Sequence, residues 1–161
     1  MATTWKTEMT QILRNLIGDN IPENQTYGDD RLYQAILTAA QLVQTEVSFP
    51  NSYTIKVDCV SLVPDPTSGS RDDGFINLVS LKAACIIAMG EYKISARSAM
   101  VIKDGPSSMD GKDVAKARQE LAKNYCAGYQ SAKMEYQAGY RSAGEAIVGP
   151  HRTIYSGGHS R

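Results

Sequence analysis

The sequence predicts a mainly α-helical protein: a small bundle of about four helices with a short strand or hairpin and an extended C-terminal arm. Three observations predict this class. Apolar residues recur at helical spacing in four segments, the spacing changes to alternation in one short segment, and the chain ends in a glycine-rich stretch with neither period. A chain of 161 residues is long enough for one domain with its own core. We expect a helical body over residues 1–143 and the arm over residues 144–161.

The first half of the chain contains two predicted helices. The first covers about residues 3–17, with apolar residues on one side and Gly18 as its stop. A loop rich in turn-forming residues follows. The second helix begins at Asp29 or Asp30, which we expect to cap it, and runs to about Val47.

A change of period then predicts the short strand or hairpin. Tyr53, Ile55 and Val57 alternate with polar residues, as in a strand with one exposed face. Residues 64–74 are rich in turn formers and predict an exposed loop. The loop ends in Asp72 and Asp73, which suit a helix start.

The second half contains the two longest predicted helices. Residues 75–95 are apolar around most of a helical surface, which predicts a helix in the middle of the bundle. A short strand over residues 100–103 and a turn over residues 104–106 follow. The last helix starts near residues 110–112 and ends near Ala143.

Charge and cysteine content limit the class of protein. The formal net charge is zero, so no overall field attracts nucleic acid or a membrane. Cys59, Cys85 and Cys126 are odd in number, far apart and without a CxxC pair, which predicts free, mostly buried thiols in a reducing compartment and no structural zinc. The first residues lack a basic start followed by an apolar run, so we expect the protein to stay in the cytoplasm where it is made.

No catalytic pattern stands out, and we expect no enzyme activity, cofactor or metal. The sequence has no GxSxG, HExxH, Walker or GxGxxG motif, and both histidines lie in the arm. Helix capping explains the acidic pairs at 29–30 and 72–73 better than a metal site does. Four basic residues of the last helix are interspersed with acids, which is typical of a solvated face: Lys112, Lys116, Arg118 and Lys123.

The last helix contains an internal repeat with a step of eleven residues. Such a step is close to three helical turns, so it forms one stripe of tyrosines and a neighbouring stripe of small residues. Glycine costs about 1 kcal/mol against alanine inside a helix, so the glycines suggest close approach of another backbone. We predict a subunit interface here; packing on the protein's own first and third helices is the open alternative. The interface residues are Tyr125, Gly128, Tyr129, Ala132, Tyr136, Gly139 and Tyr140.

The arm carries apolar residues in a stretch punctuated by glycine. Such residues bury little in their own domain and usually await a partner groove or sheet edge. A disordered end without a role is the alternative. The apolar residues are Ile147, Val148, Ile154 and Tyr155.

The order of elements, and the segment IKDGPSSMD over residues 102–110 ahead of a helix rich in Ala, Tyr and Gly, resemble the head-tail connector (adaptor or head-completion) proteins of tailed bacteriophages. The resemblance covers almost the whole chain. It implies a structural virion protein that forms a ring, commonly of twelve copies, beneath the portal protein, around the path of the DNA. It also implies no catalytic residue and no membrane.

The resemblance also assigns partners. The arm would bind the portal through Ile147, Val148, Ile154 and Tyr155, with Arg152 as a polar contact. The loop at residues 64–74 or the turn at residues 103–108 would face the tail or nozzle protein, and DNA would pass without sequence-specific binding. The protein would therefore reside in the virion neck.

The alternative is a small terminase-like ring protein of DNA packaging, which recognises DNA through an N-terminal helix-turn-helix. The first two predicted helices and their loop carry Lys6, Arg14 and Arg31. Against them stand the acidic residues Glu8, Asp19, Glu23, Asp29 and Asp30, and this balance is unsuited to phosphate contacts.

Overall fold

A computed structural model describes residues 4–99 and 111–142 and confirms the mainly helical class. Four α-helices and one β-hairpin form the described part of the chain. The expected strand at 100–103, the turn at 104–106 and the arm lie outside the described residues. In chain order the elements are α1 (Trp5–Ile17), α2 (Asp29–Glu46), β1 (Thr54–Lys56), β2 (Ser61–Val63), α3 (Asp73–Ala99) and α4 (Gly111–Ser142).

Helix α1 is amphipathic and ends as its sequence predicts. Met9 and Leu13 are fully buried on its inner side. Gly18 has a left-handed backbone (φ 74°) that few other residues adopt easily, and this conformation ends the helix.

The prediction that Asp29 or Asp30 caps α2 is wrong. Gly28 occupies the cap position, and no side chain caps the helix. The carboxylate of Asp29 instead accepts a hydrogen bond from Arg14 at 2.7 Å. Because the Arg14 guanidinium is buried, it requires carboxylate and carbonyl partners, and this demand determines the role of Asp29.

The β-hairpin and the loop after it pack against the helices. Strands β1 and β2 are antiparallel, with Ile55 opposite Leu62. Tyr53 stacks on Phe75 with ring centroids 3.9 Å apart and donates a hydrogen bond to Asp72 at 2.9 Å. Asp72 also caps α3, since its other carboxylate oxygen accepts from the backbone N–H of Phe75 at 3.0 Å.

Helix α3 is the central element, since it contacts α1, α2 and α4. Its inner residues include Phe75, Ile76 and Val79, all almost fully buried. By length and composition the segment Asp73–Ser98 could cross a membrane, with a mean hydropathy of 1.4, but half of the apolar window is buried inside the bundle. Central helices of bundles have this composition.

Helices α3 and α4 form a long antiparallel hairpin whose two halves differ. In the core half, residues 73–88 and 122–137, side chains such as Phe75 and Tyr129 are buried. In the outer half, residues 89–98 and 113–121, none of the described side chains is buried.

A disulfide joins the two helices where these halves meet, so the prediction of free cysteines is wrong. Cys85 and Cys126 are bonded with their Cα atoms 4.8 Å apart, and Cys59 is the free, exposed cysteine. The two residues are 41 positions apart in sequence, but the antiparallel hairpin brings them to facing positions. Sequence spacing without the helix register could not reveal this pair.

Candidate assembly surfaces

Three tyrosines of the α4 repeat contact their own chain. Tyr125 donates a hydrogen bond to the carbonyl of Leu16 at 2.7 Å. Tyr129 is 1% exposed and donates to the carboxylate of Glu46 at 2.8 Å. The ring of Tyr136 lies 5.4 Å from that of Phe49. These tyrosines therefore join α4 to α1, to the end of α2 and to the segment after it.

The small residues of the repeat have a different environment. Gly128 and Gly139 are exposed, and a Cβ atom added at either position would meet no heavy atom of the described residues within 4 Å. Ala132 is half-buried and packs against the core. Tyr140 lies in the last turns of α4. The two glycines thus open onto the outer face of α4, and the prediction of a subunit interface there stays a prediction.

Glu46 is the centre of a polar cluster that sequence reasoning missed. Its carboxylate accepts hydrogen bonds from Lys82 and Lys133, each at 3.0 Å, and from Tyr129. Burial acts to raise the pKa of Glu46, but these hydrogen bonds outweigh it and lower the pKa to about 2. Burial, and then the bond to Glu46, raises the pKa of the Tyr129 hydroxyl. The cluster fixes the end of α2 against α3 and α4.

Arg14 forms a second buried cluster near the start of α2. Its guanidinium donates to Asp19 and Asp29, each at 2.7 Å, and to the carbonyl of Tyr27 at 2.9 Å. This cation of the N-terminal helices is therefore used inside the protein and offers no contact to a phosphate.

The loop at residues 64–74 is less exposed than its composition predicts. Asp65 accepts a hydrogen bond from the backbone N–H of Trp5 at 2.9 Å, and Pro66 is fully buried. Arg71 forms ion pairs with Glu8 and Asp73. The loop is thus fastened to α1 on both sides, and residues 68–70 form its exposed tip.

A cavity of about 270 Å³ lies on one side of the α3–α4 hairpin. We call this side the front of the hairpin and the opposite side the back. Ile87 and Leu121 contribute apolar side chains to its wall. Glu91 and Arg118, which also line it, form an ion pair at 3.1 Å. Leu121, Ile94 and Val114 remain half-exposed along this side of the outer half.

The described residues contain no group of three or more histidine, cysteine or acidic side chains that could hold a metal ion. The turn at residues 103–108 and the predicted portal contacts lie outside the part of the chain that the structure describes. Those contacts are Ile147, Val148, Arg152, Ile154 and Tyr155.

No family model matches the chain, and neither a curated protein nor a solved structure matches it. The proposed function of the chain therefore rests on its own surfaces.

Proposed function

We propose that this chain is a structural virion protein: a head-to-tail adaptor that forms a ring under the portal protein and binds the portal through its C-terminal arm. The observation that carries the proposal is the outer face of α4. This face presents Gly128 and Gly139 to open space, although Tyr125 and Tyr129 of the same repeat already donate hydrogen bonds within the subunit. A glycine exposed in a helix interior costs stability, and close contact with a neighbouring copy would offset that cost.

The arm has a separate role in the proposed ring. Among the described residues, one core cluster extends from Trp5 to Tyr129 and packs all four helices together. The glycine-punctuated sequence of the arm supports its use by a partner, with Ile154 and Tyr155 among the apolar contacts. In a ring each arm need bind only weakly, because tethered copies act at an effective concentration in about the millimolar range.

The ring, commonly of twelve copies in the proteins that the chain resembles, would surround the DNA in the virion neck. One side would meet the portal and the other the tail or nozzle protein. The exposed tip of the loop at residues 68–70 is a candidate for the tail side, because the rest of that loop is fastened to α1. No catalytic step belongs to this role.

Removal of the arm tests the proposal. A chain that ends at Ala143 should fold with unchanged helical circular dichroism but should no longer capture purified portal protein of the same virus in a pull-down. The double variant Ile154→Asp/Tyr155→Asp should lose capture too, since charged side chains cannot enter an apolar groove. His159→Ala in the same arm is the matched control and should bind normally. Full capture by the truncated chain would refute the role of the arm.

A further inference from the structure

We infer that the back of the α3–α4 hairpin contacts the phosphate backbone of duplex DNA through Lys93, Lys116 and Lys123, with Arg97 at the edge of the same surface. We name this surface the basic face. The inference rests on the proposed function, and it deepens it by naming the side of the subunit that would face the DNA channel.

The alignment of α3 with α4 determines which of these residues lie at the same level of the hairpin. The Cys85–Cys126 disulfide fixes the level at which α3 and α4 meet. Arg118 on α4 donates hydrogen bonds to Glu91 and Ser95 on α3. These residues lie about one and a half to three helical turns from the disulfide toward the outer half, so the antiparallel alignment continues there. At this register Lys93 lies level with Arg118. The four cations therefore lie within one stretch of the hairpin.

The contacts of the Glu46 cluster identify the side on which the basic face lies. Lys82 on α3 and Gln137 on α4 both reach Glu46 on the back of the hairpin. Lys93 follows Lys82 by eleven residues, close to three full turns, so it lies on the same side of α3. Lys123 precedes Gln137 by fourteen residues, and Lys116 precedes Lys123 by seven, so both return to that side of α4. Lys93, Lys116 and Lys123 thus lie on the back of the hairpin.

Within residues 4–99 and 111–142, no ion pair neutralises the three lysines of the basic face. Lys93, Lys116 and Lys123 are exposed, and none forms an ion pair or hydrogen bond with another described residue. Glu46 already binds Lys82 and Lys133. The chain as a whole has a net charge of zero, so the basic face is a local concentration of positive charge.

Three acids among the described residues lie near the outer half. Glu91 points to the front, where it pairs with Arg118 and Arg31. Asp113 and Glu120 are exposed and adjoin the basic face, since each lies three or four residues from Lys116 or Lys123 on α4. The four cations of the basic face and these two acids together leave a net charge of +2 there. On α4 alone the charges are mixed. The structure adds Lys93 and Arg97 from α3 and assigns Arg118 to the other side.

Duplex DNA suits this surface by its chemistry. Lysines that contact phosphates supply affinity without reading sequence, and such binding permits sliding along the duplex. Lys116 and Lys123 are about 10.5 Å apart along α4, at 1.5 Å per residue, so they can engage separate phosphates. Gly128 and Gly139 lie roughly 120–160° around α4 from these lysines, at 100° per residue, so subunit contact and DNA contact can occur together.

Fluorescence anisotropy with a labelled 30-base-pair duplex tests the inference on the full chain. We expect wild-type binding that weakens steeply with salt. The variant Lys93→Gln/Lys116→Gln/Lys123→Gln should bind at least about tenfold more weakly, and its plot of log affinity against log salt should flatten by about one for each lysine that contacts a phosphate. Gln34→Glu/Thr38→Glu/Gln41→Glu changes the net charge equally on the exposed side of α2, and should retain most of the binding.

Three results would overturn the inference: no duplex binding by the wild type at low salt, equal losses in both triple variants, or wild-type binding to poly-glutamate but not to DNA, which would assign the face to an acidic protein. The Lys→Gln variant should still capture portal protein through its arm. The arm variants therefore test portal binding by the arm. The lysine variant tests DNA contact by the basic face, and the two results are independent.

Discussion

The two halves of the α3–α4 hairpin differ although they belong to the same two helices. In the core half Phe75 and Tyr129 are almost fully buried, and Glu46 binds both helices. In the outer half Ile94 and Val114 are 51% and 54% exposed. Burial of apolar surface stabilises a fold, whereas exposed apolar and basic surface is available to partners. The core half therefore maintains the subunit, whereas the outer half leaves apolar and basic side chains exposed.

The largest expected difference comes from truncation of one apolar side chain in each half. Phe75→Ala should lower the free energy of unfolding by about 3–5 kcal/mol, because it leaves a cavity among packed rings. Ile94→Ala, the matched variant in the outer half, should cost less than about 1 kcal/mol, since the side chain is already half in water. Urea unfolding of both variants measures the contrast. Similar losses would show that the outer half is part of the core.

The disulfide should contribute the next largest effect. Its loop spans 41 residues, for which the chain-entropy model gives up to about 4 kcal/mol of stabilisation. We therefore expect Cys85→Ala/Cys126→Ala to lower the free energy of unfolding by about 2–4 kcal/mol. Reduction of the wild type should have a similar effect, while Cys59→Ala should have almost none. Free-thiol titration of the denatured, unreduced protein should detect one thiol per chain; three would contradict the bond.

The Glu46 cluster makes the free energy of unfolding depend on pH in a defined way. The pKa of Glu46 falls from an ordinary 4.5 to about 2 in the folded protein, so its contribution is complete above about pH 5 and is lost as the pH falls toward 2. Glu46→Gln should destabilise the protein by about 1–2 kcal/mol at pH 7, after allowance for partial exposure. Glu120→Gln on the outer half is the control and should change little.

The test for the cluster is the difference in unfolding free energy between wild type and Glu46→Gln, measured from pH 7 to pH 2. The difference should shrink below pH 5. A difference that persists unchanged at pH 2 would contradict a charge-based role for Glu46.

The smallest expected effect concerns the outer face of α4. Gly128→Ala should stabilise the isolated subunit by up to about 1 kcal/mol, because the new methyl group meets open space and alanine favours a helix. Gly128→Leu should leave the subunit folded but weaken ring formation in sedimentation experiments, whereas Gln130→Leu, about 160° around the helix, should not. Normal rings of Gly128→Leu would refute close packing at this glycine.

Local sequence patterns predicted the helices well. Gly18 ends α1 and Asp72 caps α3, because both effects depend on one residue and its immediate neighbours. The period of alternation likewise predicted the hairpin around Ile55.

Features that depend on tertiary register were not predictable in this way. The pairing of Cys85 with Cys126, the meeting of Lys82 and Lys133 at Glu46, and the placement of Lys93 beside α4 all require knowledge of how the helices align. Asp29 was misread for the same reason: its partner Arg14 lies on another helix, and a buried cation outweighs a local capping preference.

Electron cryo-microscopy of the purified virion neck tests the central claim most directly. The proposed function predicts a ring of this chain directly below the portal, with residues 144–161 on the portal surface and the basic face toward the DNA channel. A neck without this chain, or a ring in which residues 144–161 pack on their own subunit and leave the portal untouched, would contradict it.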